Sequence, residues 1–298
     1  MTTRMIRRPS ITSDHPPAPG QPGAGLLHLA EPPVPDPIQR IMDLARSVAG
    51  IEFTDAKRQL IESRLAKRLR QLDIGMDAYA ERAIKDPAEQ EILFNALTTN
   101  HTAWLREPAH FDDLSRRVLP ALAQEGRQQL RVWCAAASTG EEPYSIALTF
   151  ARFAGENLPR WNAAVLCTDL STKALAIARA GVYASERIAP LTPEDRQLAL
   201  EPDDGPPTTR WRVRAPLRSF LHFARLNLMD PWPMKGPFDV IFCRNVMIYF
   251  SRETQERLVN RMAALLTPGG TLYVGHSESL SAIQHPLITR GPAIHVRP

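Results

Sequence analysis

An α/β protein is predicted: a mostly parallel, doubly wound sheet preceded by an all-α domain. Two observations carry this. From Ile38 to about Leu122, apolar residues recur at three- and four-residue spacing with few strand-type runs. After Gln128 the pattern changes to short apolar runs alternating with helices, the signature of βαβ units. The 298 residues, 44% of them apolar, suffice for a substantial core. The predicted layout is a Pro-rich arm over 1–36, a helical domain over 37–123 and an α/β domain over 124–298.

The arm follows from composition. Nine of the 27 prolines fall within the first 37 residues, mixed with Gly, Ser and Thr, and such a segment cannot bury a core. It reads as a disordered, solvated tail rather than a docking segment. In the helical domain the informative helix begins after Thr54, whose hydroxyl is a candidate cap. Ile61, Leu65, Leu69 and Leu72 share one face, and Lys57, Arg64, Lys67 and Arg68 form a stripe beside it. Six basic residues and one acid, Glu62, lie between Ala56 and Leu72. The stripe is either a solvated face or a docking surface for an acidic partner.

In the α/β domain, Leu130 to Ala136 reads as a strand and Pro143 to Phe153 as the helix after it. Ala163 to Cys167 is the next strand, ending at Thr168-Asp169, and Ser171 caps a helix reaching Ala180. Phe238 to Phe242 is a third strand. Ser251 caps the helix Arg252 to Leu266, Gly269-Gly270 closes it, and Thr271 to Val274 is a fourth strand. Between Val182 and Leu226 the alternation lapses. Trp211 to Arg214 and Phe220 to Phe223 alternate apolar with polar residues, as the strands of an antiparallel hairpin would, so a small β-subdomain is expected over about 183–226.

Composition narrows the function. Cys134, Cys167 and Cys243 are far apart, each in an apolar run, which fits core residues of a reduced protein better than a disulfide framework or metal knuckle. No apolar stretch reaches the roughly 18 residues of a membrane span, and the N-terminus lacks a secretory signal. A soluble cytoplasmic protein with no metal is expected. The formal charge of +4 is small for the length.

Ligands of such sheets bind at the carboxyl ends of the strands. There, Ala135 to Gly140 forms a small turn with backbone amides before a helix N-terminus, and Asp169 ends the second strand, where a carboxylate accepts ribose hydroxyls. The turn has one glycine where the dinucleotide fingerprint has three, and Glu141 and Glu142 would repel a pyrophosphate. A cofactor with ribose and positive charge but no phosphate fits better, and S-adenosylmethionine is the common one. That favours a methyltransferase over a dehydrogenase or a noncatalytic variant of the fold.

Five blocks resemble those of the CheR family, the chemoreceptor glutamate methyltransferases: Leu97 to Glu107 (LTTNHTAWLRE), Trp133 to Ser145 (WCAAASTGEEPYS), Cys167 to Leu170 (CTDL), Phe238 to Phe250 (FDVIFCRNVMIYF) and Gly275 to Ser279 (GHSES). The likeness spans about Ile38 to Val296. One departure is Trp104-Leu105, where the family often has two aromatics. The resemblance implies a Rossmann-like, S-adenosylmethionine-dependent methyltransferase domain with an inserted antiparallel β-subdomain, preceded by an all-α domain. It implies transfer of a methyl group to glutamates on the cytoplasmic coiled coil of chemoreceptors, leaving S-adenosylhomocysteine. Carried over by position, Asn100, Thr102, Arg106, Glu141, Glu142, Asp169, Asn227, Leu228, Arg244 and Asn245 are its cofactor-binding set, with either glutamate as the contact. Arg106 and Tyr249 would stand at the reacting carboxylate. Since receptor methylation helices are rich in glutamate, Lys57, Arg64, Lys67 and Arg68 become candidates for receptor docking. Only part of the family tethers a receptor C-terminal peptide to the β-subdomain, so that partner stays open.

Two other function classes remain at this level. The sequence pI of about 9.1 suggests a nucleic-acid methyltransferase, and a silent adaptor would keep the fold without activity, which intact Arg106, Asp169, Asn245 and Tyr249 argue against. His276, Ser277 and Glu278 suggest a hydrolase triad, but the block lacks the second glycine of a nucleophile elbow and reads as a structural turn.

Overall fold

The computed structural model describes residues 35–204 and 206–298. The predicted arm lies outside the described residues except at its end, where Asp36 caps the first helix. The Asp36 carboxylate accepts from the amides of Ile38 and Gln39, and Pro37 takes the first helical position, where its missing N–H costs nothing. Helix α1 (Pro37–Ala49) packs with α2 (Arg58–Leu72), α3 (Met76–Lys85) and α4 (Pro87–Leu97) around Ile41, Ile61, Leu65, Tyr79 and Leu93, all fully buried. Leu69 and Leu72 complete the apolar face of α2 from its half-buried end. Thr54 makes no side-chain cap; it precedes a 3-10 turn, Asp55–Lys57, which it holds through its carbonyl. Helix α5 (Pro108–Asp113), a π-helical stretch (Leu114–Val118) and α6 (Leu119–Gln124) lead into the second domain.

There β1 (Gln129–Cys134), α7 (Glu141–Ala154), β2 (Asn162–Asp169) and α8 (Thr172–Ala180) form the first βαβ unit, with Ser171 capping α8 by accepting from the Ala174 amide. Three short strands follow, β3 (Val182–Ala184), β4 (Leu200–Pro202) and β5 (Arg210–Val213), with α9 (Pro193–Ala199) between the first two and α10 (Ala215–Arg218) after the third. Then come β6 (Leu221–Arg225), β7 (Phe238–Cys243), α11 (Arg252–Leu265), β8 (Leu266–Val274), β9 (Ile288–Gly291) and β10 (Ile294–Val296). The seven-stranded sheet runs β6-β2-β1-β7-β8-β10-β9. Its first five strands are parallel neighbours, while β8, β10 and β9 pair antiparallel at one edge. Strand order reverses at β1, which lies between β2 and β7, so a crevice opens at the carboxyl ends of those strands.

Two expectations are corrected. The expected hairpin does not form: β5 pairs with β3 and β4 in a separate three-stranded antiparallel sheet, whereas the Phe220 to Phe223 run becomes β6, parallel to β2 at the edge of the main sheet. The insert is therefore built from β3, β4 and β5. Gly269 and Gly270 do not close α11 either. Leu266 is already extended, and both glycines lie inside β8, exchanging backbone hydrogen bonds with Arg297. The three cysteines are buried on the adjacent strands β1, β2 and β7, with Cys134 and Cys167 in register.

Candidate active site

A cavity of about 630 Å³ occupies the crevice, a size suited to a cofactor or small ligand. Its walls are Ala135, Ala136 and Ser138 after β1, Asp169 and Leu170 at the end of β2, Leu226 to Leu228 after β6, and Arg244 to Val246 after β7. The helical domain closes it with Ala49 at the end of α1, Ile51 and Phe53 after it, Lys57, Leu60 and Arg64, and the segment Leu97 to Thr102.

The turn after β1 holds its shape with its own amides. Ala137 N–H donates to the Thr168 carbonyl at 2.8 Å, Gly140 N–H to the Ala137 carbonyl at 3.0 Å, and Ser138 N–H to the Asp169 carboxylate at 2.8 Å. Three of the amides expected to be free at this turn are thus committed to the turn and to β2, which leaves fewer to cradle a pyrophosphate. Gly140, at φ 102°, is the one residue that fits: a Cβ there would meet the Tyr183 hydroxyl at 2.6 Å and the Ala178 Cα at 2.9 Å. Asp169 is 9% exposed and also accepts from Ser171 N–H at 2.8 Å. Burial raises its pKa, and these two amides oppose the rise.

Glu141 and Glu142, adjacent in the first turn of α7, point differently. Glu141 is fully buried, pairs with Arg187 of the insert, accepts from the Thr139 hydroxyl at 2.8 Å and stays out of the cavity. Glu142 lines the cavity and accepts from Arg244 Nη1 at 2.7 Å and from the Cys134 thiol at 3.2 Å. Burial lifts both carboxyls above the usual range. Arg244, whose side chain is fully buried, binds three groups on two segments: Glu142, and the Glu107 carboxylate at 2.9 Å with the Arg106 carbonyl at 2.5 Å. Burial pushes Glu107 up, but hydrogen bonding and charge from Arg244 outweigh it and hold its pKa below the usual value.

Of the residues singled out from sequence, Asn100, Thr102, Arg106, Glu142, Asp169, Asn227, Leu228, Arg244, Asn245 and Tyr249 all line this cavity. Arg106 donates to the His101 carbonyl at 3.1 Å, and among the described residues it pairs with no carboxylate. The Asn227 amide is turned into the protein, donating to the Val48 carbonyl at 2.7 Å, so this residue offers the cavity mainly its backbone. The basic stripe divides. Lys57 and Arg64 reach the cavity rim, where Arg64 donates to the Leu97 carbonyl and the Thr99 hydroxyl; Lys67 is exposed away from it. Arg68 is committed elsewhere, donating twice to the buried Glu89 at 2.8 and 2.6 Å.

The structural roles of two residues, Glu107 and Glu278, were not read from the sequence. Glu107 follows Arg106 in the first block, yet it is the partner of Arg244, 137 positions on; only the fold reveals that pairing. Glu278 accepts from the amides of Gly275, Asn245, Met247 and Ile248, fixing the loop that carries Asn245 to Tyr249. With its carboxylate so occupied it cannot orient His276, which supports a structural turn over a triad.

Comparison with known proteins identifies the family. Residues 100–292 match the family model described as CheR methyltransferase, SAM binding domain, and residues 36–98 match CheR methyltransferase, all-alpha domain. The chain is 40% identical over 264 residues to the chemotaxis protein methyltransferase of Escherichia coli, covering 86% of this chain and 89% of that protein. It is also 40% identical over 262 residues to chemotaxis protein methyltransferase 2 of Pseudomonas aeruginosa, covering 86% and 91%. With both domains matched and relatives 40% identical over most of the chain, the chain belongs to the CheR methyltransferase family.

Proposed function

We propose that this protein transfers the methyl group of S-adenosylmethionine to glutamate side chains in the cytoplasmic coiled-coil region of chemoreceptors, forming methyl esters and leaving S-adenosylhomocysteine. One observation carries the reading. The cavity has buried carboxylates, Asp169 and Glu142, among its walls, while the basic groups Lys57, Arg64 and Arg106 lie on its more exposed lining. Such a site accepts a cationic, phosphate-free cofactor inside and draws an anionic side chain to its opening.

The residues present fit that cofactor. Asp169 can accept ribose hydroxyls, Glu142 suits an ammonium or sulfonium neighbour, and Leu228 offers an apolar wall. Asn100, Thr102 and Asn245 add neutral polar groups. Bound there, the cofactor supplies an electrophilic methyl group. A glutamate carboxylate is ionised at pH 7, with a reference pKa near 4.3, so the chain needs no general base. Its task is alignment. Arg106, with only one nitrogen donating to the His101 carbonyl, has donors left to grip a carboxylate, Tyr249 has a hydroxyl to donate, and both stand on the cavity wall. Holding the carboxylate in line, out of water, favours an attack in which opposite charges cancel.

Lys57 and Lys67 are the exposed members of the basic stripe and suit an acidic receptor helix. The insert's sheet has two unpaired edges, β3 and β4, to which an extended receptor C-terminal peptide can add a strand. Such a substrate places the enzyme in the cytoplasm, and no helix among the described residues is long and apolar enough to cross a membrane.

The test is transfer of labelled methyl from S-adenosylmethionine to receptor-containing membranes. Label released by mild base marks an ester; label that survives it, or that requires nucleic acid, refutes glutamate as the acceptor.

A further inference from the structure

Behind Arg244, outside the cavity lining, stands a cluster that methyl transfer does not use. His110 in α5 is fully buried, and no side chain hydrogen-bonds to its ring, which has only the backbone of Pro292 near one nitrogen. A buried ring nitrogen left without a partner is costly. Nδ1 lies 3.6 Å from Glu107 Oε2. The exposed ring of His276, in the turn after β8, stands edge-on at 5.1 Å between centroids. One ligand atom from each of the three residues can be chosen so that all lie within 4.8 Å of one another.

We infer that Glu107, His110 and His276 form a binding site for a divalent transition metal of the zinc class, and that filling it slows methyl transfer. Two imidazoles and a carboxylate are a donor set that zinc accepts with a fourth position left to water, whereas magnesium and calcium prefer oxygen alone. Bonds of about 2.0–2.2 Å place tetrahedral ligand atoms roughly 3.4 Å apart, so the three must close by about an ångström. His276 is at the surface and can swing to do so. Glu107 and Glu142 share the single guanidinium of Arg244, so a cation at Glu107 still leaves Arg244 the Glu142 carboxylate.

The brake follows from the shared carboxylate. A metal drawing on Glu107 takes from Arg244 one of its two acidic partners and from Asn245 a hydrogen bond at 3.3 Å. Both residues line the cavity, and so the metal acts on the site from behind.

Zinc titrated calorimetrically into the full chain should bind at one site, and His276→Ala should weaken that binding at least about tenfold. In chelator, this variant should turn over as the unmodified protein does, because His276 is not among the residues that line the cavity. With zinc, methyl transfer by the unmodified protein should fall severalfold and that of the variant should not. No zinc heat, equal heat in the variant, or binding without loss of turnover overturns the inference. The inhibition rests on the methyl-transfer reading but the calorimetry does not, so failure of one is distinguishable from failure of the other.

Discussion

Replacing Arg68 by alanine separates the two meanings of the basic stripe. Glu89 has a side chain only 1% exposed and receives two charge-assisted hydrogen bonds from Arg68. Its other cationic neighbour, Arg82, stands at 3.3 Å with its side chain 47% exposed. Breaking a buried pair outright costs about 3–5 kcal/mol, because the remaining charge is left without compensation. Arg82 retains part of that compensation, so roughly 2–3 kcal/mol is expected, or about 4–10 °C in Tm for a chain of this size. Arg68→Met with Glu89→Leu should recover most of the loss, since no charge then stays buried. The pH profile adds a second reading. Hydrogen bonding from Arg68 holds the Glu89 pKa below its ordinary value of 4.5, so the pair's stabilisation is complete above that pH and is lost as pH falls through the lowered value. The Arg68→Ala stability curve should therefore be flatter in acid. Thermal unfolding between pH 3 and 7 measures both. A loss under about 0.5 kcal/mol, typical of an exposed pair, together with a raised KM for receptor, would show that Arg68 faces the partner and that this reasoning is wrong.

Lys57→Glu combined with Lys67→Glu should raise the receptor KM, most strongly at low salt, and leave the S-adenosylhomocysteine Kd unchanged; equal KM values would return these lysines to solvent. Asp169→Ala should weaken S-adenosylhomocysteine by roughly 10–100-fold in calorimetry, as expected for a charged hydrogen-bond acceptor. Tyr249→Phe should lower turnover about tenfold with product affinity intact, the effect of one hydrogen bond on the reacting carboxylate. Glu142→Gln should weaken cofactor-product binding more than Glu141→Gln, whose main effect should be a lower Tm.

Where local chemistry decides, the sequence was readable. Ser171 and Ser251 accept from the amides three residues ahead, as their positions before apolar-periodic runs predicted. The β6 run was misplaced for a physical reason. Leu221 is buried and His222 exposed, with Phe223 half-buried, and an edge strand of a parallel sheet shows the same alternation as a hairpin strand. Pattern alone cannot choose the neighbour. Gly269-Gly270 imitates a helix stop, but its partner is Arg297, near the other end of the segment, and pairing across that distance leaves no local trace. The basic stripe was legible as charge and illegible as function, because Glu89, which claims Arg68, is 21 positions away on another helix.

The pair Glu141-Glu142 shows how fold geometry converts an ambiguous motif into two distinct roles. Successive residues on a helix project about 100° apart, so neighbouring acids at the start of α7 cannot serve one ligand from one face. Glu141 turns toward the insert, where Arg187 meets it and also donates to the Thr139 hydroxyl at 2.8 Å. Tyr183, on β3 of the same insert, donates to the Thr139 carbonyl at 2.8 Å. The insert thus grips the turn whose Ser138 amide steadies Asp169. Glu142 turns the other way, into the cavity and onto Arg244. One acid fastens the turn to the insert while the other forms part of the cavity wall, and the buried carboxylates that suit a cationic cofactor depend for their placement on a contact made outside the cavity.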